Sequence, residues 1–194
     1  MVVLGTMDPG VSVHEVTFVA LDFETTGLYP ERDSIIEFGA VRFKGRELLG
    51  TFEALVTPAT EYTAEAMAIS GISAEMLLGK PAIDAVMPDF VSFLGDAVLV
   101  AHNAPFDIGF LRATCQRLTI PALSNRIVDT QTLAQKALPR QKSYSLQNLA
   151  AGLGIESGNA HRALDDAETC MRLFWACVDA MSFMGELTLS EVLS

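Results

Sequence analysis

Residues 16–24, VTFVALDFE, form an apolar run that is rich in β-branched and aromatic side chains and ends in two acids. A continuous apolar run of this length predicts a buried strand. Side chains two positions apart point to the same face of a strand, so Asp22 and Glu24 lie together while Phe23 faces away. Two like charges on one face raise the pKa of one of them unless a cation lies between them. Taken alone, a strand end that emerges into solvent explains both acids equally well.

The rest of the chain alternates between strand-like and helix-like segments. Residues 34–45 and 46–58 join at Lys44-Gly45-Arg46 and predict a hairpin with one wetter face. Short apolar strands follow at residues 97–103 and 126–130. Helical patterns cover residues 63–70, 73–78, 81–95, 104–118, 130–138, 145–154 and 161–184. This order predicts an α/β fold with a mixed five-stranded sheet flanked by helices.

The chain has 194 residues, half of them hydrophobic, which is enough for one well-buried core. We expect an irregular leader at residues 1–14, one domain at residues 15–184 and a short C-terminal tail at residues 185–194. The N-terminus lacks the basic segment of a signal peptide, and no apolar run reaches the roughly 18 residues of a membrane span. The sequence therefore predicts a cytoplasmic protein without a membrane partner.

The formal net charge is −11, whereas nucleic-acid-binding domains are typically basic. Enzymes that reach phosphates through bound cations are an exception, because the cations require carboxylates and reverse the local field. The cysteines Cys115, Cys170 and Cys177 have no metal-binding CxxC spacing and are predicted to be buried free thiols. Because cysteine and histidine do not cluster, the sequence argues against a zinc site.

A third acid occupies a place similar to that of the first two. In LVAHNAPFD an apolar strand runs into the start of a helix, and Asp107 falls in or near the first turn. A favourable interaction with the helix dipole explains an acid there. It does not explain His102 and Asn103 just before it, so this turn is a second candidate for function.

The third candidate region is HRALDDA. His161 precedes the last long helix, with Asp165 four and Asp166 five residues later. At 100° per residue, Asp165 lies nearly above His161 on a helix, whereas Asp166 is rotated away from it. Spacing alone therefore favours Asp165 as the partner of His161, and a plain surface pair is the alternative to a functional role.

Together these acids and one histidine meet the needs of two-metal phosphodiester hydrolysis. Magnesium and manganese prefer oxygen ligands and use few protein carboxylates. Two such ions, roughly 3.5–4 Å apart, activate a water and stabilise the leaving oxygen. A histidine with an ordinary pKa of about 6.5 is able to remove the proton of that water at neutral pH. The sequence predicts two divalent metal ions, magnesium or manganese, as cofactors.

The motifs LDFETTGL, AHNAPFD and HRALDDA, in this order and separation, resemble the three exonuclease motifs of the DEDDh family of 3′–5′ exonucleases. Within that family the resemblance is greatest to the proofreading epsilon subunits of bacterial DNA polymerase III, and it extends from about residue 16 to residue 183. The resemblance implies a ribonuclease H-like fold. A DxE pair alone is a weak signal, whereas three motifs in register are highly specific.

The resemblance implies that four acids bind the two metals: Asp22, Glu24, Asp107 and Asp166. In the family the first acid bridges both ions, the glutamate and the last acid complete the more tightly held site, and the third acid acts through metal-bound water. The family pattern of His, four residues and Asp selects Asp166 over Asp165, against the spacing given above. His161 becomes the general base, in a loop that can move with substrate.

The resemblance also implies a set of substrate contacts. Thr25 and Thr26 would lie by the sugar of the terminal nucleotide, with Leu28 packed against its base. Asn103 and Phe106 would line the opposite wall. The resemblance therefore implies a binding site for a single-stranded 3′ end.

The activity that the resemblance implies is metal-dependent 3′–5′ hydrolysis of single-stranded 3′ ends, DNA rather than RNA, with release of nucleoside 5′-monophosphates in proofreading or repair. The alternatives are an exoribonuclease of the oligoribonuclease or ribonuclease T type and a non-catalytic polymerase accessory module. Arg140 and Lys142, in LPRQKSY, either contact phosphates or belong to a solvated loop.

Two departures from the family bear on the substrate and on the partner. Ser70 stands where relatives often carry a histidine, before GI. Only about ten residues follow Phe183, where epsilon subunits continue into a polymerase-binding tail. A DNA polymerase subunit is therefore expected as a partner only if it binds another surface.

Overall fold

A computed structural model describes residues 8–59, 62–158 and 161–193. The first seven residues of the predicted leader lie outside the described residues. Within these ranges the chain forms one sheet with helices on both of its faces. No described helix is long and apolar enough to cross a lipid bilayer.

The sheet has the strand order β3-β2-β1-β4-β5. Its first three strands form an antiparallel meander. The fourth strand pairs in parallel with β1 and the fifth pairs in parallel with β4, and each of these two strands follows a helical connection. The predicted mixed five-stranded sheet is confirmed. The strands are β1 Thr17–Thr25, β2 Ile35–Lys44, β3 Glu47–Leu55, β4 Val98–Ala101 and β5 Ile127–Asp129.

The predicted helices are confirmed, and the first six end within two residues of their expected bounds. The last long helix begins two residues later than expected, because His161 has a left-handed φ of 65° and Arg162 is extended. The helices are α1 Ala64–Ser70, α2 Ala74–Leu77, α3 Ile83–Leu94, α4 Ala104–Arg117, α5 Thr130–Ala137, α6 Leu146–Leu153, α7 Ala163–Met181 and α8 Leu189–Val192, with short 3₁₀ helices at Val13–Glu15 and Ser182–Met184.

The two faces of β1 pack against different helices. Phe18 and Ala20 belong to a core cluster with residues of α7, whereas Val19 and Leu21 belong to a second cluster with residues of α3 and α4. Because side chains alternate along a strand, the even-numbered Asp22 lies on the α7 side. Residues of α7 therefore lie on the same side of the sheet as Asp22.

The expectation of a hairpin with one wetter face is wrong for β2. Its residues 35–41 are all buried, including Glu37. The physical reason is that α7 covers one face of β2 while α3 covers the other, as the packing of Phe43 on Phe174 and of Phe38 on Phe90 shows. The wetter strand is β3, which forms the edge of the sheet.

The segments near the two ends of the described chain pack side by side. Val13 donates its backbone N–H to the Leu187 carbonyl, and Leu189 donates to the Val11 carbonyl. Val13, Leu187 and Leu189 are buried in the same core cluster as α7. The division into leader, domain and tail stays a prediction, but both flanking segments contribute side chains to the core.

The three cysteines are buried and free, as predicted. Burial raises the pKa of the Cys170 thiol and raises that of Cys177 to about 12. Trp175 is also buried, against Phe43 and Phe174. All four residues therefore belong to the hydrophobic core.

Candidate active site

Asp22 and Glu24 occupy the carboxyl end of β1, where a register irregularity follows Glu24. Burial raises the pKa of the Asp22 carboxyl well above its ordinary value, and the charge of Asp107 raises it further. Burial and then the neighbouring Glu37 raise the pKa of Glu24 to about 8. Both residues are half-buried rather than exposed, so a strand end that emerges fully into solvent does not describe this part of β1.

The turn between β4 and α4 brings Asp107 to the carboxyl end of β1. Asn103 precedes α4 in the left-handed conformation, and this tight turn puts Asp107 in the first helical turn. Its side chain is 2% exposed, and its Oδ1 accepts a hydrogen bond of 3.1 Å from the backbone N–H of Phe23. Burial raises the pKa of Asp107 to about 8, although this hydrogen bond opposes the shift.

The structure places Asp166, rather than Asp165, beside the acids of β1. Ligand atoms of Glu24, His161 and Asp166 all lie within 4.8 Å of one another. The Asp165 carboxylate lies against Gly158 instead. The spacing rule favoured Asp165 wrongly because the helix begins at Ala163, so the helical angle per residue does not apply back to position 161.

Each carboxylate oxygen of Asp166 accepts one hydrogen bond. Its Oδ1 accepts from Gln147 Nε2 at 2.6 Å, and its Oδ2 accepts from the backbone N–H of His161 at 3.1 Å. Burial raises the pKa of Asp166, and these hydrogen bonds oppose the shift. Gln147, on α6, has no local sequence signal that connects it with an acid 19 residues later.

We call Asp22, Glu24, Asp107 and Asp166 together the candidate metal centre. Their mutual repulsion and their burial favour the protonated forms, and a divalent cation would remove both penalties. An all-carboxylate set suits hard cations such as magnesium and manganese. The residues present therefore fit the metals that the sequence predicts.

A cavity of about 240 Å³ opens beside Glu24, and four of the five expected substrate residues line it. Thr25, Thr26, Leu28 and Phe106 all contribute to its wall. Thr25 Oγ1 donates to the Gly27 carbonyl at 2.6 Å, and Thr26 Oγ1 accepts from the backbone N–H of Ser34 at 2.9 Å. The two threonine side chains therefore also hold the turn that follows β1.

Asn103, the fifth expected contact, is not among the residues that line this cavity. Its backbone N–H donates to Asp129 Oδ1 at 3.0 Å, which fixes the turn before α4. His102, beside it, contacts Thr130 Oγ1 and the Tyr144 carbonyl through its two ring nitrogens. Burial lowers the pKa of His102, so this ring is favoured in its neutral form.

Sequence reasoning missed Ile69, which lines the cavity from α1. Ile69 is 68% exposed and Leu28 is 70% exposed, so two large apolar side chains border the opening. Ser70 is buried; its Oγ donates a hydrogen bond to the Ala66 carbonyl and is hydrogen-bonded to Tyr62 Oη. Ile69 could have been found in the sequence as a large apolar residue directly before Ser70, on the side of α1 that does not pack inward.

The comparison with known families assigns the chain to the exonucleases. Residues 19–174 match the exonuclease family (RNase_T), and the chain belongs to that family.

Curated relatives carry the names of polymerase components. The chain is 43% identical over 166 residues to the DNA polymerase III subunit epsilon of Treponema pallidum, covering 84% of this chain and 77% of that protein. It is 41% identical over 178 residues to the PolC-type DNA polymerase III of Thermotoga maritima, covering 92% of this chain. The chain spans only 13% of the length of that PolC-type relative.

Solved exonuclease structures share the fold. Exonuclease X in complex with 5′ overhanging duplex DNA is 25% identical, with a TM-score of 0.69, and the alignment covers 91% of this chain and 98% of that one. Exonuclease I of E. coli in complex with a dA16 oligonucleotide superposes with a TM-score of 0.74 at 22% identity, covering 86% of this chain and 42% of that one. The ribonuclease H-like fold is confirmed.

Proposed function

We propose that this chain is a metal-dependent 3′–5′ exonuclease. It hydrolyses the terminal phosphodiester bond of single-stranded 3′ ends, with DNA preferred over RNA, and releases nucleoside 5′-monophosphates. The observation that carries the proposal is that ligand atoms of Glu24, His161 and Asp166 lie within 4.8 Å of one another, beside a cavity that Glu24 lines. Asp22 is near enough to this group for the charges of Asp107 and Asp166 to act on it. Family membership and the similarity to a DNA polymerase III subunit epsilon support it.

The four acids of the candidate metal centre would hold two magnesium or manganese ions. When bound, the ions supply an activated water and a counter-charge for the leaving oxygen. Asp22 would be one of the residues that hold the ions, because the charges of Asp107, Asp166 and Glu24 act on its carboxyl group. The donors to Asp166 and Asp107 fix the direction of each carboxylate, which is the role of outer partners in metal sites.

His161 is the proposed general base. It is exposed to solvent, while its backbone N–H donates a hydrogen bond to Asp166 Oδ2. In its neutral form, a ring nitrogen would take the proton of the attacking water as the bond to phosphorus forms, while the P–O3′ bond breaks and the 3′ oxygen of the preceding nucleotide leaves. The left-handed backbone at His161 is a strained conformation of the kind that clusters at functional sites.

The cavity beside Glu24 is the proposed seat of the terminal nucleotide. Leu28 and Ile69 border its opening and offer apolar surface to a base. Burial of that surface from water would favour a splayed, single-stranded end over a stacked duplex end. Arg140 and Lys142 are exposed in the loop between α5 and α6, where they would meet phosphates further along the strand.

The biological setting is proposed from the relatives alone. Because they include polymerase III components, a DNA polymerase subunit is the proposed partner, bound through a surface outside the cavity. The role in proofreading or repair and the cytoplasmic location stay predictions. Co-purification with a polymerase subunit would test the partner.

End-labelled single strands of matched DNA and RNA sequence test the activity. With magnesium or manganese we expect stepwise shortening from the 3′ end, faster on DNA, and none with a chelator. Asp22→Ala should reduce the rate below detection, while Asp96→Asn, an exposed change in the turn after α3, should leave the rate unchanged. Absence of 3′ shortening by the wild-type protein would refute the proposal.

A further inference from the structure

Glu37 is a fully buried carboxylate on β2, 0% exposed, opposite Glu24 in the pairing of β1 with β2. Its Oε1 accepts hydrogen bonds from Arg162 Nε at 3.0 Å and from Arg162 Nη2 at 2.7 Å. Its Oε2 accepts from the backbone N–H of Ala163 at 3.1 Å. All three donors belong to the start of α7, so one carboxylate on the sheet holds this helix end.

The start of α7 has no capping bond of its own, because the N-cap residue Arg162 makes none with its side chain. The N–H of Ala163 is one of the groups that a helix start leaves without an intrahelical partner. Glu37 supplies both the missing acceptor and a negative charge at the positive end of the helix dipole. The sheet therefore provides the cap that the helix lacks.

Gly39 brings the helix and the strand into direct contact. It lies two residues along the same face of β2, and a Cβ at this position would come closer than 3.0 Å to the Ala163 carbonyl group. Backbone therefore rests on backbone at this point. The Glu37 hydrogen bonds and the Gly39 contact together fix both the height and the rotation of the first turn of α7.

A buried ion pair is a weak source of stability, because desolvation offsets much of the Coulombic gain. Its position in this fold points to a different role. Arg162 directly follows His161, and Asp166 lies in the first turn of α7. The ligand atoms of His161 and Asp166 come within 4.8 Å of Glu24, so their placement depends on where the helix start sits on β2.

We propose that Glu37 and Arg162 are positioning residues that hold the start of α7 on β2 and thereby set the geometry of the candidate metal centre. Neither side chain needs to touch metal or substrate. The catalytic consequence rests on the proposed function. The consequence for metal affinity does not require that any nucleic acid is cleaved.

Three variants of the whole chain test this role. Glu37→Gln keeps the shape but turns one acceptor into a donor that faces Arg162 or Ala163. Arg162→Lys keeps the charge but loses the planar fork. Glu53→Gln is the matched control, because Glu53 also pairs with Arg162, at 3.3 Å, but is half exposed on the edge strand β3.

The readouts are Mn²⁺ affinity, kcat and KM on a single-stranded oligonucleotide, and Tm. For Glu37→Gln we expect Mn²⁺ affinity to fall by about 10- to 100-fold, the range found for outer partners of metal ligands. We expect kcat to fall at least about tenfold with KM within about threefold, since the apolar walls of the cavity are untouched. Arg162→Lys should show smaller losses of the same kind, and Glu53→Gln should stay within about threefold of wild type.

The proposal is wrong if Glu37→Gln keeps Mn²⁺ affinity and kcat within threefold of wild type. It is equally wrong if both losses vanish at a lower temperature at which the variant is fully folded, because a purely structural role predicts that recovery. Should Glu37→Gln not fold, Arg162→Lys decides by the same criteria. If the wild-type protein cleaves nothing, the proposed function fails, while the Mn²⁺ affinities still decide the role of Glu37.

Discussion

Asp107→Asn should make the metal-free protein more stable at pH 8.5 while removing its activity. The asparagine retains an oxygen that can accept the 3.1 Å hydrogen bond from Phe23, but it carries no charge. In the wild-type protein the folded state raises the pKa of Asp107 to about 8 from an ordinary value of 3.8. The fold therefore favours the protonated acid, and its stabilising contribution is complete below pH 3.8 and is lost as the pH rises through 8.

The size of the effect follows from this pKa difference. At 1.36 kcal/mol per pKa unit, the upper bound is about 5 to 6 kcal/mol. We expect Asp107→Asn to recover about 2 to 3 kcal/mol of it, because burying the polar asparagine amide itself costs free energy. For a chain of this length, that gain corresponds to a rise in Tm of roughly 5 to 10 °C.

Thermal unfolding in a chelator, from pH 5 to pH 8.5, measures the effect. The advantage of the variant should grow with pH and shrink toward pH 5. Saturating magnesium should stabilise the wild-type protein, by about 2.7 kcal/mol at 100 times Kd, and should stabilise the variant less. Asp96→Asn removes an exposed charge and should change neither quantity. A variant less stable than wild type at pH 8.5 without metal, or a gain that does not depend on pH, would refute the reasoning.

Three further changes test separate parts of the site. Gly39→Ala should force the start of α7 away from β2 by about 1 Å, so kcat should fall about 100-fold. Its control is Gly50→Ala on the edge strand, where an added Cβ meets only ordinary contacts. Equal rates for the two variants would contradict the close contact at Gly39. Ile69→Ala should raise KM about tenfold with kcat unchanged, and a changed kcat with constant KM would exclude a binding role. His161→Gln should lower kcat by about 10² to 10⁴ while Mn²⁺ affinity stays within about threefold, and a large loss of affinity would mean that the ring is a metal ligand.

Local patterns were sufficient for the strands and helices of the fold. The apolar run of β1 and the helical periodicities each depend on neighbouring residues, so their bounds were predicted within a few positions. The same patterns failed for β2, where Glu37 looked like a solvent-facing residue. Its partner Arg162 is 125 residues away, and no local pattern contains that information.

The four acids of the candidate metal centre could be predicted from the sequence only because three motifs occur together in the order and spacing of a known family. Spacing on an ideal helix pointed to Asp165, because the left-handed turn at His161 cannot be seen in the sequence. The hydrogen bond from Phe23 to Asp107 and the one from Gln147 to Asp166 are tertiary contacts. They determine how the acids are oriented, and only the structure reveals them.

The assembly of the site from β1 and α7 has a consequence for folding on the ribosome. Asp22 is synthesised before Asp166, which follows it by 144 residues. Contacts of such long sequence separation form late, because a large loop must close first. A nascent chain that lacks α7 holds only part of its ligand set, so tight cation binding should begin when the last long helix docks. The time at which Mn²⁺ affinity appears during folding should therefore report when α7 docks on the sheet.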